Sequence, residues 1–226
     1  MTYSVKRRLV NVYARERVSR IGTWFVDIPR TSSTAVRNDL GLAYGYPYGK
    51  YTIFGAHTSG RQLPLRDHAS AREAREFLTK RVWSGLDSFS IVRNPFDRFV
   101  SYYRWRRHTN AIGDDISFKD NCSALVGGSC GHNTLFAKPH LKSSCAQLLY
   151  DENGRCLVKH VIRFEHRDAG LTRMAEILRL PSLGTSRLQQ VDVPRPDHYS
   201  EWYDDESRAI VEDAFADDLA AFNYRF

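Results

Sequence analysis

The chain has 226 residues, of which 42% are hydrophobic and 26% are charged, as expected for one large globular domain. No stretch approaches the ~18 apolar residues of a membrane span, and the basic N-terminus has no apolar core or cleavage site of a secretory signal, so we expect a cytoplasmic protein. The net charge of +7 favours anionic partners, such as nucleic acid, a membrane surface, a nucleotide or an acidic glycan, without choosing among them.

The first predicted element is a strand over TWFVDI (23–28), a short apolar run rich in β-forming residues. A helix over 32–40 follows, and hydroxyl residues at its start can cap it. The segment 41–67 is rich in glycine, tyrosine and proline, which predicts a long excursion with one short strand near 51–54. Good helix formers then predict a helix over 69–82.

The second half of the chain continues the alternation of strands and helices. We predict a buried strand over 87–92 and a helix over 95–107, with Pro95 in the first turn, where proline is tolerated. A third strand is predicted over 157–164, and amphipathic helices over 169–180 and 205–222. Strands that alternate with helices predict an α/β fold with a central, mainly parallel sheet flanked by helices.

Two strand-to-helix junctions carry side chains suited to anions, and ligands of parallel sheets bind at the carboxyl ends of strands. At the first junction Arg30 precedes a run of hydroxyl residues. The run consists of Thr31, Ser32, Ser33 and Thr34. Unpaired N–H groups and the partial positive charge of a helix start suit an oxyanion, although hydroxyl residues before a helix are more often only caps.

The second junction is IVRNPFDRFVSYY, in which Arg93 ends a buried strand. Ser101 lies eight positions later, about two turns into the next helix, and Arg98 adds a charge near the start of that helix. Arg93 and Ser101 could hold a phosphate; alternatively, Arg93 pairs with an acid and Ser101 is incidental. A ligand with a phosphate-like group at each end would bridge the two junctions.

The sequence does not indicate a metal site or a nucleic-acid surface. The four cysteines form no CxxC pair, which argues against zinc, and we expect free, buried thiols. They are Cys122, Cys130, Cys145 and Cys156. The basic clusters 6–8 and 104–108 lack the aromatic and glycine pattern of an RNA-binding sheet, so nucleic acid is not the expected partner.

The two junctions together resemble a known family. DIPRTSSTAV (27–36) is similar to the 5′-phosphosulfate loop of sulfotransferases, and VRNPFDRFVSYY (92–103) is similar to their 3′-phosphate motif. The resemblance covers roughly three-quarters of the chain, from about Phe25 to Phe226 with gaps. It is nearest to small bacterial members related to the carbohydrate sulfotransferases. It implies a P-loop-like, three-layer α/β fold.

The resemblance also implies an activity and a domain plan. The donor of the family is 3′-phosphoadenosine 5′-phosphosulfate (PAPS), whose sulfuryl group passes to an acceptor hydroxyl without a metal, here most closely a hydroxyl of a glycan. Residues 1–226 would form one sulfotransferase domain. The segments at about 41–67 and 104–145 would be excursions on the acceptor side. The family's Arg-Lys-Gly segment, which closes over the nucleotide in the small-molecule sulfotransferases, is absent here.

Roles for single residues follow from the same resemblance. The expected donor-binding residues are Arg30, Thr31, Ser32, Ser33, Thr34, Arg93 and Ser101. Arg30 would also stabilise the leaving phosphate, where the family often has lysine. A histidine commonly stands before the next helix in related bacterial members, which favours His68 as the base. His57 is the runner-up, and Asp67 and Glu73 are weaker alternatives.

Two other classes of function compete with this interpretation. A nucleotide-dependent kinase of the P-loop class would need a GK[ST] lysine and an acidic residue at a strand end for magnesium. The loop here is PRTSST, and Arg93 follows the strand. A non-catalytic module that binds an anionic glycan or nucleic acid would explain the charge but not the paired motifs.

Overall fold

Three strands form one parallel sheet in the part of the chain that the computed structural model describes. That part comprises residue 12 and residues 15–44, 68–113, 115–127, 143–185 and 198–226. The strands are β1 (Thr23–Val26), β2 (Asp87–Val92) and β3 (His160–Arg163), in the order β1-β2-β3. Trp24 lies opposite Ser88, and Phe89 lies opposite His160. The predicted α/β class with a parallel sheet is confirmed.

Several helices of the described residues were predicted from the sequence, and others were not. The helices are α1 (Ser33–Ala43), α2 (Ala71–Leu78), α3 (Lys80–Gly85), α4 (Pro95–His108), α5 (Phe118–Gly127), α6 (Cys145–Leu149), α7 (Arg167–Leu178), α8 (Asp205–Ala214) and α9 (Ala216–Phe222). Residues 15–21 are also helical; this segment, α5 and α6 were not predicted. Short 3₁₀ helices occur at Phe164–His166 and Tyr199–Trp202. The predicted strand near 51–54 lies outside the described residues.

Two predicted helices are each divided in the structure. The helix predicted over 69–82 breaks at Thr79, whose φ of 75° lies in the left-handed region. The Thr79 hydroxyl accepts a hydrogen bond from the Val82 N–H and so caps the start of α3. The helix predicted over 205–222 breaks at Phe215, which leaves the helical conformation with its side chain buried. A new helix begins after each break, at Lys80 and at Ala216.

The chain divides into two compact units. The first contains residues 1–28, 32–92 and 148–188, and therefore the whole sheet. Its core packs β-strand side chains with those of α1 and α7. These residues include Phe25, Val36, Leu40, Phe89, Ile91, Ile162, Leu171 and Met174. The rings of Phe25 and Phe89, on neighbouring strands, have centroids 4.9 Å apart, a distance that favours both burial and ring packing.

The second unit contains residues 29–31, 93–147 and 189–226. Its core is aromatic and lies among α4, α5 and α8. The main members are Phe96, Phe99, Tyr102, Tyr103, Phe118 and Phe215. The start of α4 is fixed at Asn94, whose side-chain oxygen accepts from the Phe96 N–H and whose amide donates to the Arg225 carbonyl. This bond ties residues near the end of the chain to the second junction.

Arg98 lies in the core of the second unit. Its Nη2 atom donates to the Ser143 carbonyl at 2.7 Å, and its Nη1 atom lies 3.4 Å from the Asp218 carboxylate. Asp218 is fully buried and accepts from the backbone N–H groups of Cys145 and Ala146. Arg98, expected from the sequence as an extra charge near the junction, is therefore part of the network that holds the start of α6.

Several further properties hold for the described residues. No helix there is long and apolar enough to cross a membrane. Cys122, Cys145 and Cys156 are free thiols, and the first two are buried. No group of three or more His, Cys, Asp or Glu side chains in these ranges could hold a metal ion.

We predict that Asp218→Asn destabilises the protein by about 3 kcal/mol, because the change leaves the buried Arg98 guanidinium without a counter-charge. The amide that replaces the carboxylate also directs an N–H₂ group toward a site with two backbone donors. Urea unfolding measures the difference. Asp213→Asn, at an exposed position of α8, is the matched control and should change stability by less than about 0.5 kcal/mol. Equal stability of the two variants would contradict the assignment.

Candidate functional site

The loop that links β1 to α1 has an unusual backbone. Arg30 and Ser32 have φ values of 67° and 71°, in the left-handed region that disfavours residues other than glycine. No side-chain hydrogen bond caps α1 at Ser32. Such conformations cost roughly 1–3 kcal/mol each, and they cluster where function requires a fixed geometry. The hydroxyl run is therefore more than a helix cap, and the loop is a candidate site.

The four hydroxyl residues of this loop occupy different environments. Thr31 is fully buried, and Thr34 is exposed. Ser33 is buried at the start of α1. Ser32, which is half-buried, accepts a hydrogen bond of 2.8 Å from Nε of Arg167. The four hydroxyl residues therefore differ in their exposure to solvent and in their contacts.

Arg167 is a site residue that the sequence interpretation missed. It is the first residue of α7, and besides Ser32 its guanidinium contacts the Gly184 carbonyl and the Asp168 carboxylate. It therefore brings a positive charge to the loop in the first unit. Its position shortly after the carboxyl end of β3 is a signal that could have identified it, because ligands of parallel sheets bind at that edge.

Asp27 and His68 are in direct contact in the first unit. The Asp27 carboxylate, 9% exposed at the residue level, lies 2.7 Å from Nη1 of Arg37 and 3.1 Å from Nδ1 of His68. The same Nδ1 atom lies 3.0 Å from the Asp27 carbonyl oxygen. Two acceptors at Nδ1 place the imidazole proton there, which leaves Nε2 to accept a proton from another molecule. His68 also has a left-handed φ, of 56°.

The pair adjusts the proton affinity of the histidine. Burial alone would lower the pKa of His68, but the hydrogen bonds and charge of Asp27 outweigh it and raise the pKa above the ordinary value of 6.5. Burial would likewise raise the pKa of Asp27, yet His68 and Arg37 hold it below 3.8. Asp27 is therefore ionised at neutral pH, and it favours proton uptake by His68.

Arg30 is surrounded by groups of α4 in the second unit. Its Nε and Nη2 atoms donate to the Ser101 hydroxyl at 3.2 and 3.1 Å, and its guanidinium carbon lies 5.7 Å from the ring centroid of Trp105. Its carbonyl accepts a bond of 3.1 Å from Nη1 of Arg93. Nε of Arg93 in turn donates to Asp97 at 2.7 Å. The structure thus brings Arg30, Arg93 and Ser101 together.

Positive charge exceeds negative charge around Arg30. Burial, together with the nearby charges of Arg93 and Arg104, lowers the pKa of Arg30 to about 10. A pKa near 10 keeps Arg30 charged at neutral pH, so the repulsion remains. A bound anion would relieve it, and forked guanidinium donors match the oxygens of phosphate or sulfate. The chemistry of these groups therefore fits a phosphate or sulfate ester.

The other candidate bases differ from His68 in their placement. His57 and Asp67 lie outside the described residues. Glu73 forms a capping box with Ser70, in which its carboxylate accepts from the Ser70 N–H at 2.8 Å. That bond gives Glu73 a role in starting α2. Of the two candidates that the structure describes, Glu73 is engaged in the capping box. His68 has one ring nitrogen, Nδ1, in contact with Asp27.

Comparison with known proteins identifies a protein family whose model matches most of this chain. The family model described as "Sulfotransferase family" matches residues 25–225, which include both junctions. A solved structure with 15% sequence identity is that of a sulfotransferase from Alicyclobacillus acidocaldarius; the similarity covers 96% of this chain and 93% of that chain, with a TM-score of 0.43. The search of curated proteins gave no match.

We predict that the pKa of His68 responds in opposite directions to changes at its two charged neighbours. Asp27→Asn should lower it, because burial then acts without the carboxylate, whereas Arg37→Met should raise it by removing a cation. NMR titration of the histidine ring protons measures both shifts, and His68→Asn assigns the resonance. A pKa that is unchanged in Asp27→Asn would contradict the contact between the two side chains.

The same shift predicts a pH dependence of stability. The folded-state pKa of His68 is raised, so its protonated form stabilises the folded chain fully below the unfolded value of about 6.5. This contribution is lost as pH rises through the raised pKa. Unfolding measured on either side of that pKa should show the loss in the wild-type chain and not in Asp27→Asn.

Proposed function

The chain belongs to the sulfotransferase family, and from this premise we propose that it transfers a sulfuryl group from PAPS to a hydroxyl group of a carbohydrate. The observation that carries the proposal is the cluster of Arg30, Arg93 and Arg104, whose mutual repulsion an anionic ligand would relieve. PAPS has two anionic groups, a 5′-phosphosulfate and a 3′-phosphate. We propose one sulfotransferase domain, because the family match extends from residue 25 to residue 225.

Residues 30–34 would hold the phosphosulfate through backbone N–H groups, hydroxyls and Arg30. Arg93 and Ser101 would hold the 3′-phosphate. The Ser101 hydroxyl accepts from Arg30 at 3.1–3.2 Å. A hydroxyl that accepts these bonds still has its own O–H to donate, so Ser101 could contact the 3′-phosphate while it holds the Arg30 guanidinium in position.

His68 would act as the general base. The Nδ1 atom is engaged by Asp27, so Nε2 would accept the proton of the acceptor hydroxyl as the acceptor oxygen attacks sulfur. Arg30 would donate hydrogen bonds to the oxygen that leaves with the phosphate and gains negative charge when its bond to sulfur breaks. Proton uptake by His68 would also bring a cation next to ionised Asp27, which stabilises the protonated product state of the base.

The proposal of a carbohydrate acceptor rests on the resemblance to the carbohydrate sulfotransferases. The expected acceptor-side segments are about 41–67 and 104–145. Residues 104–108 complete α4, and Phe118–Gly127 forms α5. Most of the first segment lies outside the described residues. A labelled-donor assay across glycans, lipids, peptides and phenols tests this acceptor class directly.

We predict that the chain binds 3′-phosphoadenosine 5′-phosphate in calorimetry and that Arg93→Ala weakens this binding about tenfold or more, since charged hydrogen bonds are lost. Arg173→Ala, which removes an exposed arginine of α7, is the control and should bind as the wild type does. Binding of ATP with magnesium, without binding of the bisphosphate, would favour the P-loop kinase and contradict the proposal.

We predict that His68→Asn lowers turnover by about 10²- to 10⁴-fold, the usual effect of removing a general base. Affinity for the bisphosphate should stay unchanged. Asparagine suits the left-handed backbone at position 68 better than alanine does, so the variant tests chemistry separately from folding. His160→Asn, at the amino-terminal end of β3 and outside the expected acceptor-side segments, is the control. If His68→Asn keeps full activity, the base is elsewhere and His57 is the next residue to test.

A further inference from the structure

A basic groove lies at the amino-terminal ends of β2 and β3 in the first unit. Its volume is about 610 Å³. Five cationic residues line it: Arg75, Lys80, Arg81, Arg155 and Lys159. No acidic side chain is among its described lining residues. The donor loop follows the carboxyl end of β1, so the groove lies at the other end of the parallel strands and is a separate surface.

Hydrogen bonds connect the elements that form the floor of the groove. The Trp83 ring is buried, and its Nε1 atom donates to the Leu157 carbonyl at 2.9 Å, which joins α3 to the segment before β3. The Lys159 N–H donates to both the carbonyl and the hydroxyl of Ser88 at 3.0–3.1 Å. These bonds join α3 and the segment before β3 to the start of β2, so the cationic residues project from connected parts of the backbone.

The charges of the groove have few protein partners. Lys159 lies 3.5 Å from Asp87 at the edge of the groove. Within the described part of the chain, Arg75, Lys80, Arg81 and Arg155 form no ion pair. Four of the five cationic residues are exposed, and Arg75 is half-buried. Their positive charge is therefore directed at solvent, where it can attract an anionic chain that spans several residues.

The groove offers charge and hydroxyl donors but no surface for stacking bases. Among its described lining residues the one aromatic is Trp83, which is buried and uses its N–H within the protein. Proteins that bind single-stranded nucleic acid combine cations with exposed aromatic rings on which bases stack. The groove has cationic side chains and serine hydroxyls but no described ring exposed for stacking. This combination suits an anionic polysaccharide better than single-stranded nucleic acid.

We propose that this groove binds a sulfated polysaccharide, outside the donor site. The choice of a glycan rests on the proposed function, because a carbohydrate sulfotransferase produces chains of this chemistry. The sulfate groups of such a chain would contact Lys80, Arg81 and Arg155, while hydroxyl groups of its sugars would lie near Ser84. A second contact of this kind keeps a long product or substrate chain attached to the enzyme between transfers.

Binding of a size-defined heparin oligosaccharide tests the proposal. The donor site is first saturated with 3′-phosphoadenosine 5′-phosphate, so that its arginines do not contribute. Lys80→Glu/Arg81→Glu should weaken heparin binding roughly tenfold or more at fixed salt. Both positions are in the first turn of α3, where glutamate is favourable, so the variant should fold.

Arg173→Glu/Arg179→Glu is the matched control. Both residues are exposed in the first unit, and neither lines the groove. Each double variant has a net charge of +3, since two changes of −2 reduce the total of +7. Equal losses in both variants, or tighter binding of single-stranded RNA than of heparin, would overturn the proposal. Bisphosphate binding is measured on every sample, so failure of the donor site is recorded separately.

Discussion

The ionised carboxylate of Asp27 is the constraint on which the arrangement of the first unit depends. A buried carboxylate loses several kcal/mol of hydration, and it remains charged only where cations and donors surround it. Arg37 and His68 meet that requirement. The segment with His68 is more than 40 residues away in sequence and is held to the end of β1 by this contact. The orientation of the His68 ring thus follows from the need of the buried Asp27 carboxylate for a hydrogen-bond donor.

The second unit contains the opposite imbalance, an excess of cations. Burial and the charges of Arg93 and Arg104 lower the pKa of Arg30. Arg93 and Arg98 lie five positions apart in one motif, and each has an acid partner, Asp97 and Asp218 respectively. Asp218 also accepts from backbone N–H groups at the start of α6, so Arg98 is part of the core network, whereas Arg93 donates to the Arg30 carbonyl.

The sequence predicted the order of elements well because strands and helices here have distinct apolar patterns. β2 has the predicted bounds, and the two junctions lie where parallel-strand topology places ligand sites. Thr79 and Phe215 end helices that periodicity alone would continue, since capping and core packing outweigh it there. Asp27 and Arg167 were missed because their partners are distant in sequence, and no local pattern reports such pairing.

The left-handed backbone at Arg30, Ser32 and His68 limits how this site can diverge in evolution. Valine, isoleucine and threonine fit that conformation poorly, whereas asparagine and glycine fit it well. Single substitutions that lose the chemistry but preserve the fold are therefore open to the chain at all three positions. Descendants that have lost transfer activity could retain the same loop shape, and torsion angles alone would not distinguish them from active enzymes.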